Sequence, residues 1–310
     1  MRCCNVSLLK VDLPINQMSK EDRKALFALP VVLLVAFGFI VVIGSNQWPS
    51  INLKEAFYPV ALAFMLQWIA FIPAYLKKTE VFYDLVGGMS FICVSGFCLL
   101  LAPAYSLRSI VLFTMVVLWA GRLGIFLFIR IQRSGKDGRF DAIKKSFFRF
   151  LIAWTAQGLW ITFTLAPVMA VILFGRQRGV DLFFVVGSLI WLFGYVFEVT
   201  ADLQKYRFKS EPKNKGKFIK CGLWSISRHP NYFGEITLWV GVAVIALPVL
   251  SGWQYLTLSS PLFVYCLLRY ISGIPMLEKS ADERWGDSKS YQEYKRSVPL
   301  LFPALRWPTN

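Results

Sequence analysis

Ionisable side chains interrupt the long apolar runs of this 310-residue sequence, and chemistry is to be expected first from them. They are Asp84, Arg122, Glu198, Glu235 and Arg269, with Asp202 at the end of a run. A charged side chain inside a membrane is costly, so such residues usually face a cavity, a partner or a substrate pathway. Most of them lie toward the end of their run that is on one particular side of the predicted membrane. This predicts one vestibule on that side, which solutes and lipid can both reach. The alternative is purely structural, with Asp84 or Glu198 forming an ion pair with Arg122.

A second polar feature is the stretch GLWSISRHPNYFGEITLW, which begins at Gly222. Pro230 suits the first turn of a helix, where a missing N–H group costs nothing. Asn231 and Glu235 then share one helix face. Arg228 and His229 precede the free N–H groups of this helix, and such groups bind anions. An interfacial helix start with a belt of aromatic residues accounts for the Arg, Tyr and Trp residues. It does not account for an Asn–Glu pair within the membrane.

Eight apolar runs are long enough to cross a bilayer, which takes about 17–25 helical residues. They are Leu26–Gly44, Ala56–Leu76, Val81–Ala102, Leu107–Ile129, Phe150–Leu173, Val180–Thr200, Tyr232–Leu250 and Tyr255–Met276. Pro261, Gly273 and Pro275 interrupt the last run. The sequence therefore predicts an all-α, polytopic transmembrane helical bundle of seven to eight spans. The last two runs can alternatively form a re-entrant hairpin.

The net charge of +16 is explained by membrane topology rather than by nucleic-acid binding. Of the 34 Lys and Arg residues, 28 fall in the tails and loops on one side of the predicted bundle and four on the other, where Arg108 is counted although it is the second residue of its run. Basic residues concentrate in cytosolic loops, so both termini are expected in the cytosol. This divides the chain into a cytosolic N-terminal tail (1–25), a transmembrane domain (26–276) and a cytosolic C-terminal tail (277–310). We expect a multi-pass protein of the endoplasmic reticulum membrane in a eukaryote, or of the inner membrane in a bacterium.

Composition excludes several classes of function. Hydrophobic residues make up 56% of the chain and charged residues 17%, whereas soluble domains have about 45–50% and about 25%. With a single histidine and no Cys-x-x-Cys pair, the sequence predicts no metal site and does not favour a haem or quinone site. No Gly-x-Gly-x-x-Gly fingerprint follows a strand, so helices rather than a Rossmann fold would hold any nucleotide.

The motif SRHPNYFGE, preceded by GLW and followed by the C-terminal SYQEYKRSVPLLFP, resembles the signature of the steroid 5α-reductase superfamily, most closely its DUF1295 branch. Sterol C14 and C7 reductases share the RHPNY-x-G-[ED] element and the tail. Isoprenylcysteine carboxyl methyltransferases share a fainter version of both. The resemblance is strongest over Phe193–Pro303, and it extends to Asp84 and to LWAGRLGIFLFIRIQRSGKDGRF at Leu118–Phe140.

This resemblance implies that NADPH occupies the cytosolic half of the bundle and that hydride passes to a C=C bond of a sterol-like or other lipid in the membrane half. The expected partners are therefore the bilayer and this lipid. It assigns Asn231 and Glu235 to the cofactor helix and Asp202 to the end of the preceding helix. The cofactor-binding residues that it suggests are Arg122, Arg133, Asp202, Arg207, Lys209, Arg228, His229, Asn231, Tyr232, Glu235 and Arg269.

The residues that act on the substrate depart from the superfamily. Aligning Arg122 places Trp119 where the reductases carry a proton-donating tyrosine, and an indole N–H cannot deliver a proton. Gln67 alone lies in a span comparable to the one that carries an early Gln–Glu pair in the reductases. The candidate proton donors are Glu198, which we favour, Tyr83 and Asp84; Glu235 is the second predicted catalytic residue.

Two other classes of function stay open. A methyltransferase that uses S-adenosylmethionine binds a sulfonium cation, which favours carboxylates and aromatic faces. It has less use for the Lys and Arg residues that follow Asp202. In a non-catalytic membrane protein, the same residues bind anionic lipid or hold the helices together. The surplus of basic residues favours the reductase, and NADPH over NADH, because phosphate groups bind Lys and Arg.

Overall fold

The computed structural model describes residues 18–45, 52–134 and 137–304. Its helices are α1 (Lys20–Gly44), α2 (Leu53–Leu76), α3 (Tyr83–Leu101), α4 (Leu107–Ser134), α5 (Phe147–Phe174), α6 (Leu182–Ser210), α7 (Pro230–Ala246), α8 (Ser260–Cys266), α9 (Ile274–Trp285) and α10 (Lys289–Ser297). The described residues contain no strand, and eight helical stretches among them are long and apolar enough to cross a membrane. The predicted all-α membrane bundle is confirmed.

The helices extend past the predicted apolar runs where polar turns continue them. α1 begins at Lys20 rather than Leu26, because the Ser19 side chain accepts a hydrogen bond from the backbone N–H of Asp22 and caps the helix. α6 continues past Thr200 to Ser210. This continuation matters for the site, since it keeps several basic side chains in helical register with the apolar run.

The eighth span is irregular, as its proline and glycine residues predict. A 3₁₀ stretch over Gly252–Ser259 leads into α8, and a π-helical turn over Leu267–Ile271 follows. After a break at Ser272 and Gly273, α9 continues to Trp285. Most of α9 therefore lies in the segment predicted to be the C-terminal tail.

α5 lies at the centre of the bundle because its second half is apolar on nearly every side. Every residue from 164 to 173 is buried, as expected of a helix that is hydrophobic all round. α5 packs against α1, α2 and α3, and against α7 and α8. α4 pairs with α3, and α6 pairs with α7.

The segment after α10 folds back onto the loop that precedes α7. Three hydrogen bonds to main-chain oxygens join them: Arg228 N–H to Pro299 (2.9 Å), Ala304 N–H to Ile226 (2.8 Å) and Ser227 O–H to Leu301 (2.7 Å). The two motifs that carry the resemblance, 69 residues apart from Pro230 to Pro299, are thus adjacent in space.

Candidate functional site

Four of the charged residues predicted from the apolar runs come together between α4, α6 and α7. The guanidinium of Arg122 donates a hydrogen bond of 2.6 Å to Oδ2 of Asp202 and forms an ion pair with Glu198. Glu198 and Asp202 lie one turn apart on α6 and are buried. The structure thus contains the Arg122–Glu198 ion pair that the sequence predicted as the structural alternative. We call Arg122, Glu198, Asp202 and Glu235 the charged cluster.

Glu235 differs from the other two carboxylates of this cluster. It is buried on α7, and within the described residues its carboxyl group has no hydrogen bond and no ion pair. The charges that act on it are those of Glu198, Arg122 and Asp202. Asn231, one turn earlier, is half-buried, and its side-chain amide has no partner among the described residues either. Two carboxylates thus pair with the Arg122 guanidinium, and the third carboxyl group of the cluster is left without an ion pair among the described residues.

Glycine residues bring Glu235 this close to the acids of α6. A Cβ on Gly234 would lie 2.6 Å from the backbone nitrogen of Glu198 and 2.7 Å from the carbonyl oxygen of Gly194. A Cβ on Gly194 would lie 2.5 Å from the nitrogen of Leu238. All three distances are shorter than van der Waals contact, so only glycine at these positions lets the backbones of α6 and α7 touch. The helix pair that carries the cluster is therefore positioned by its main chain.

A row of basic residues continues the charged cluster along α6. Because a helix has 3.6 residues per turn, Lys205 and Lys209 follow Glu198 and Asp202 on one face. They interact electrostatically with each other and with Arg130 of α4, and Lys205 also interacts with Asp202. Neither lysine forms an ion pair within 4 Å of a carboxylate among the described residues. Lys205 also lies 4.3 Å from the ring of Trp224. We call Lys205, Lys209 and Arg130 the basic row.

Three of the other predicted cofactor residues lie elsewhere or outside the described side chains. Arg207 is exposed and falls on a different face of α6 from Lys205 and Lys209. Arg269 lies in the π-helical turn, where its guanidinium is 5.1 Å from the ring of Tyr270. Arg133 belongs to the last turn of α4, but its side chain is outside the described part of the structure.

Arg228, His229 and Tyr232 form a second group at the start of α7. Nε2 of His229 lies 2.9 Å from a carboxylate oxygen of Glu278 on α9, and Arg228 forms an ion pair with the same carboxylate. The ring of Tyr232 stacks on that of His229, with 5.7 Å between centroids. Burial lowers the pKa of His229, and the hydrogen bond to Glu278 opposes this change. Sequence reasoning missed Glu278, because the predicted span ends at Met276.

Trp119 occupies an aromatic block at the inner end of the charged cluster. Its ring centroid is 5.1 Å from those of Phe91 and Trp239, and both contacts are edge-to-face. The other candidate donors are engaged elsewhere. The Tyr83 hydroxyl donates a hydrogen bond of 2.9 Å to the carbonyl oxygen of Ala153. A carboxylate oxygen of Asp84 lies 3.8 Å from a guanidinium nitrogen of Arg130. Among the described residues, no three His, Cys, Asp or Glu side chains are grouped as metal ligands.

In a comparison with known families, residues 70–298 match the family described as "Protein of unknown function (DUF1295)". The chain belongs to this family. The match confirms the superfamily that the motif around Asn231 and Glu235 indicated, and it includes the whole charged cluster.

Three curated proteins share parts of the chain. Delta(14)-sterol reductase of Arabidopsis thaliana is 33% identical over 90 residues, which is 26% of this chain and 24% of that protein. 3-oxo-5-alpha-steroid 4-dehydrogenase 1 of Bos taurus is 23% identical over 122 residues, 39% of this chain and 42% of that protein. Probable O-methyltransferase ustE of Ustilaginoidea virens is 35% identical over 65 residues, 21% of this chain and 22% of that protein. The chain spans less than half the length of each, and no solved structure matches.

Proposed function

We propose that this protein is a membrane reductase that uses NADPH to reduce a C=C bond of a sterol-like or other lipid. The observation that carries the proposal is the order of polar groups along α6 and α7: Asn231 and Glu235, which have no side-chain partner among the described residues, are followed by the basic row. The names of a sterol reductase and a steroid dehydrogenase among the relatives support the same reaction class.

The polar groups present fit the chemistry of NADPH. Its nicotinamide end is neutral and carries a carboxamide, which needs partners that both donate and accept hydrogen bonds, as the Asn231 amide does. Its other end carries phosphate groups, which bind cations such as those of the basic row. Lys205, Lys209 and Arg130 would hold these phosphates, and Arg122 would keep Glu198 and Asp202 in place beside the ring. Bound NADPH supplies the hydride.

The second carbon of the double bond needs a proton, and we assign its supply to Glu235 rather than to Glu198. The Glu198 carboxylate is held by Arg122. The Glu235 carboxyl group is free among the described residues and lies one turn from Trp239, in the aromatic block that Trp119 also forms. Trp119 cannot deliver a proton, so its place beside the acids is consistent with a steric role against the substrate.

The experiment compares three variants of the purified full chain. Asn231→Ala should abolish the rise in melting temperature that NADPH causes. Glu235→Gln should keep this rise, while NADPH-dependent reduction of a membrane lipid extract falls by about 10²–10⁴. Glu198→Gln is the matched control, since it keeps the donor at position 235, and it should retain more turnover than Glu235→Gln. Absence of any NADPH effect on the parent protein would reject the proposal.

One observation favours a second candidate, a methyltransferase that uses S-adenosylmethionine. The charged cluster holds three carboxyl groups and one guanidinium, with which two of them pair, and the ring of Tyr195 lies 5.8 Å from that guanidinium. A sulfonium cation is stabilised by carboxylates and aromatic faces. The O-methyltransferase among the relatives points the same way. Stabilisation by S-adenosylmethionine without stabilisation by NADPH would select this candidate.

We further propose that the charged cluster opens to the cytosol, in the endoplasmic reticulum membrane or a bacterial inner membrane. The loop before α7 holds most of its basic residues in exposed positions, and basic loops are cytosolic. In a variant without native cysteines, a cysteine at Lys215 should react with an impermeant maleimide only from the cytosolic side. A cysteine at Gln177, between α5 and α6, should react only from the other side.

A further inference from the structure

The Gly-Leu-Trp segment that precedes the α7 motif packs against the turn of α6 that carries Lys205. Gly222 has a φ of +61°, and a Cβ at this position would lie 2.6 Å from the side-chain oxygen of Gln204. The backbone N–H of Leu223 donates a hydrogen bond of 2.9 Å to that same oxygen. Trp224 is 3% exposed. The segment is therefore fixed to α6 by its main chain before the contacts of the indole are counted.

The Trp224 side chain contacts α6 at two points that are one helical turn apart. Its indole N–H donates a buried hydrogen bond of 3.0 Å to the carbonyl oxygen of Ala201. A carbonyl oxygen has two lone pairs, so it can accept this bond besides the one within the helix. The ring of the same indole lies 4.3 Å from Nζ of Lys205. The N–H bond thus sets the orientation of the ring that faces the ammonium group.

A neutral partner suits a lysine that binds phosphate. Lys205 forms no ion pair within 4 Å among the described residues, although the charge of Asp202 acts on it. A carboxylate in contact would neutralise the ammonium group, whereas an aromatic face attracts it and leaves its positive charge in place. A long side chain also loses conformational freedom when it binds a ligand. A ring that already holds the ammonium group moves part of this loss from binding to folding.

Lys205 lies between the outer end of the basic row and the start of α7. Its charge acts on Lys209 and Arg130, and it also acts on His229, which precedes the first residue of α7. A nucleotide that extends from Asn231 to Lys209 would therefore pass the Lys205 ammonium group. The residue held by Trp224 is the inner cation of the row.

The C-terminal Tyr-x-x-Tyr motif reaches the same segment. The hydroxyl of Tyr294 donates a hydrogen bond of 2.7 Å to the main-chain oxygen of Trp224. The hydroxyl of Tyr291 instead lies 3.3 Å from a carboxylate oxygen of Asp282. Both tyrosine rings pack on Phe218, at 5.2 Å and 5.4 Å between centroids. The two tyrosines are thus similarly packed, and the hydroxyl of one of them bonds to Trp224.

We propose that Trp224 positions Lys205 to bind a phosphate group, and that Tyr294 holds Trp224 in place. Both are positioning residues, because they act on the ligand through the lysine. The inference deepens the proposed function, on which it rests. It gives the Gly-Leu-Trp segment and the C-terminal tail a part in binding the cofactor.

The test is calorimetric titration of the purified full chain with NADPH and with adenosine 2′,5′-bisphosphate, which carries phosphate but no nicotinamide. Trp224→Leu removes the aromatic face and should weaken both ligands by about tenfold. Trp224→Phe keeps an aromatic face and should lose less. Trp285→Leu is the matched control, since its indole N–H also donates to a main-chain oxygen, that of Gly216 at 2.6 Å. Its ring packs on Phe218 rather than on a lysine of the basic row, so both affinities should stay unchanged.

A double-mutant cycle separates positioning from a general structural role. In the Lys205→Met variant, Trp224→Leu should cause no further loss of affinity, because the side chain that it positions is absent. A residue that only stabilises the fold would cause the same loss in both backgrounds. Tyr294→Phe should weaken both ligands by about threefold, as the loss of one indirect hydrogen bond implies. Tyr291→Phe also removes one hydroxyl and should have no effect.

Two outcomes would overturn the proposal. One is a Trp224→Leu loss that is absent, or that has the same size with and without Lys205. The other is an equal effect of Tyr294→Phe and Tyr291→Phe, and these mild substitutions decide the matter even where Trp224→Leu does not fold. If the parent binds NADPH and either outcome is found, only this inference fails. If the losses are as expected but bound NADPH reduces no lipid, only the proposed reductase activity fails. A parent that binds neither nucleotide rejects both.

Discussion

The charged cluster and the amide pair, which is Gln67 of α2 and Gln157 of α5, solve the same problem, polar groups inside a membrane protein, in opposite ways. The charged cluster keeps its acids beside one arginine, and its basic row runs toward the end of α6. The amide pair uses neutral side chains, which cost far less to bury than ions. Full charges are therefore kept where a charged ligand is expected. Neutral amides are buried between α2, α3 and α5.

The two regions also differ in how they are packed. Backbones touch through Gly194 and Gly234 at the charged cluster, so the position of Glu235 is set by the main chain. Around the amide pair, side chains fill the space between helices. The Phe64 ring lies 2.9 Å from the place of a Cβ on Gly158, and the Trp68 N–H donates to the Thr155 hydroxyl at 3.1 Å. The comparison implies that the charged cluster is fixed by its main chain, whereas the amide pair is fixed by packed side chains.

The largest expected effect is that of removing the guanidinium from the charged cluster. Arg122→Met leaves Glu198 and Asp202 buried without a cation, which should cost about 3–5 kcal/mol of unfolding free energy. Denaturant titration followed by tryptophan fluorescence measures it. Arg130→Met is the control, because Arg130 is 51% exposed and lies 3.8 Å from Asp84. Its loss should stay below about 1 kcal/mol, and equal losses would show that burial does not distinguish the two arginines.

Gly234→Ala should have the next largest effect, because its Cβ meets main-chain atoms that cannot move independently. We expect a loss of about 1–3 kcal/mol in the same titration. Gly158→Ala should lose less, since a ring can turn away from the added methyl group. Gly38→Ala has nothing within 4 Å and should be neutral or slightly stabilising. The packing comparison fails if Gly158→Ala is the more damaging of the two.

Four of the six ionisable residues that the sequence placed in one vestibule form the charged cluster, because ions in apolar runs need partners. Asp84 pairs with Arg130 instead, and Arg269 lies in the π-helical turn. The sequence could not predict which carboxylate pairs with Arg122, because that depends on how α6 and α7 are rotated about their axes. The helical period already placed Lys209, and not Arg207, on the face of Glu198 and Asp202. The helical period alone therefore separates Lys209 from Arg207.

Two parts of the structure left no usable pattern in the sequence. Glu278 approaches Arg228 only because α9 continues past a break and returns to the start of α7. Gln67 and Gln157 are neutral residues 90 positions apart in apolar runs. The resemblance to the reductases singles out Gln67, but neither charge nor spacing links it to Gln157, and only the bundle brings the two to α3.

A tenfold change in cofactor affinity is expected at the outer end of the basic row. One contact between a cation and a phosphate contributes about 1.5–3 kcal/mol, so Lys209→Gln should weaken NADPH binding by about tenfold or more. NADH lacks the additional phosphate, so its affinity should change less. Arg207→Gln, on the other face of α6, should change neither affinity. Calorimetric titration measures the affinity of the parent and of each variant for NADPH and for NADH. Equal effects of Lys209→Gln and Arg207→Gln would mean that the phosphates bind elsewhere.

The smallest expected effect concerns pH and the single histidine. His229 is 4% exposed, and its Nδ1 is buried without a hydrogen-bond partner among the described residues. Burial lowers its pKa below the usual 6.5, against the hydrogen bond to Glu278. The unfolded chain therefore takes up a proton at higher pH than the folded chain. The resulting stability is complete above about pH 6.5 and declines as the pH falls below it, by at most about 1.4 kcal/mol per pH unit.

Melting curves between pH 8 and pH 5 test this sign. The difference in melting temperature between the parent and His229→Gln should be constant above pH 7. Below pH 6.5 the melting temperature of the parent should fall relative to that of His229→Gln. Carboxylates other than Glu278, which contacts His229, titrate in both proteins and cancel in the difference. Gln67→Leu removes only a neutral group, so its curve should run parallel to that of the parent. A parent that gains stability on acidification would mean that the His229–Glu278 contact outweighs burial, and the start of α7 would then behave as a second ion-paired site.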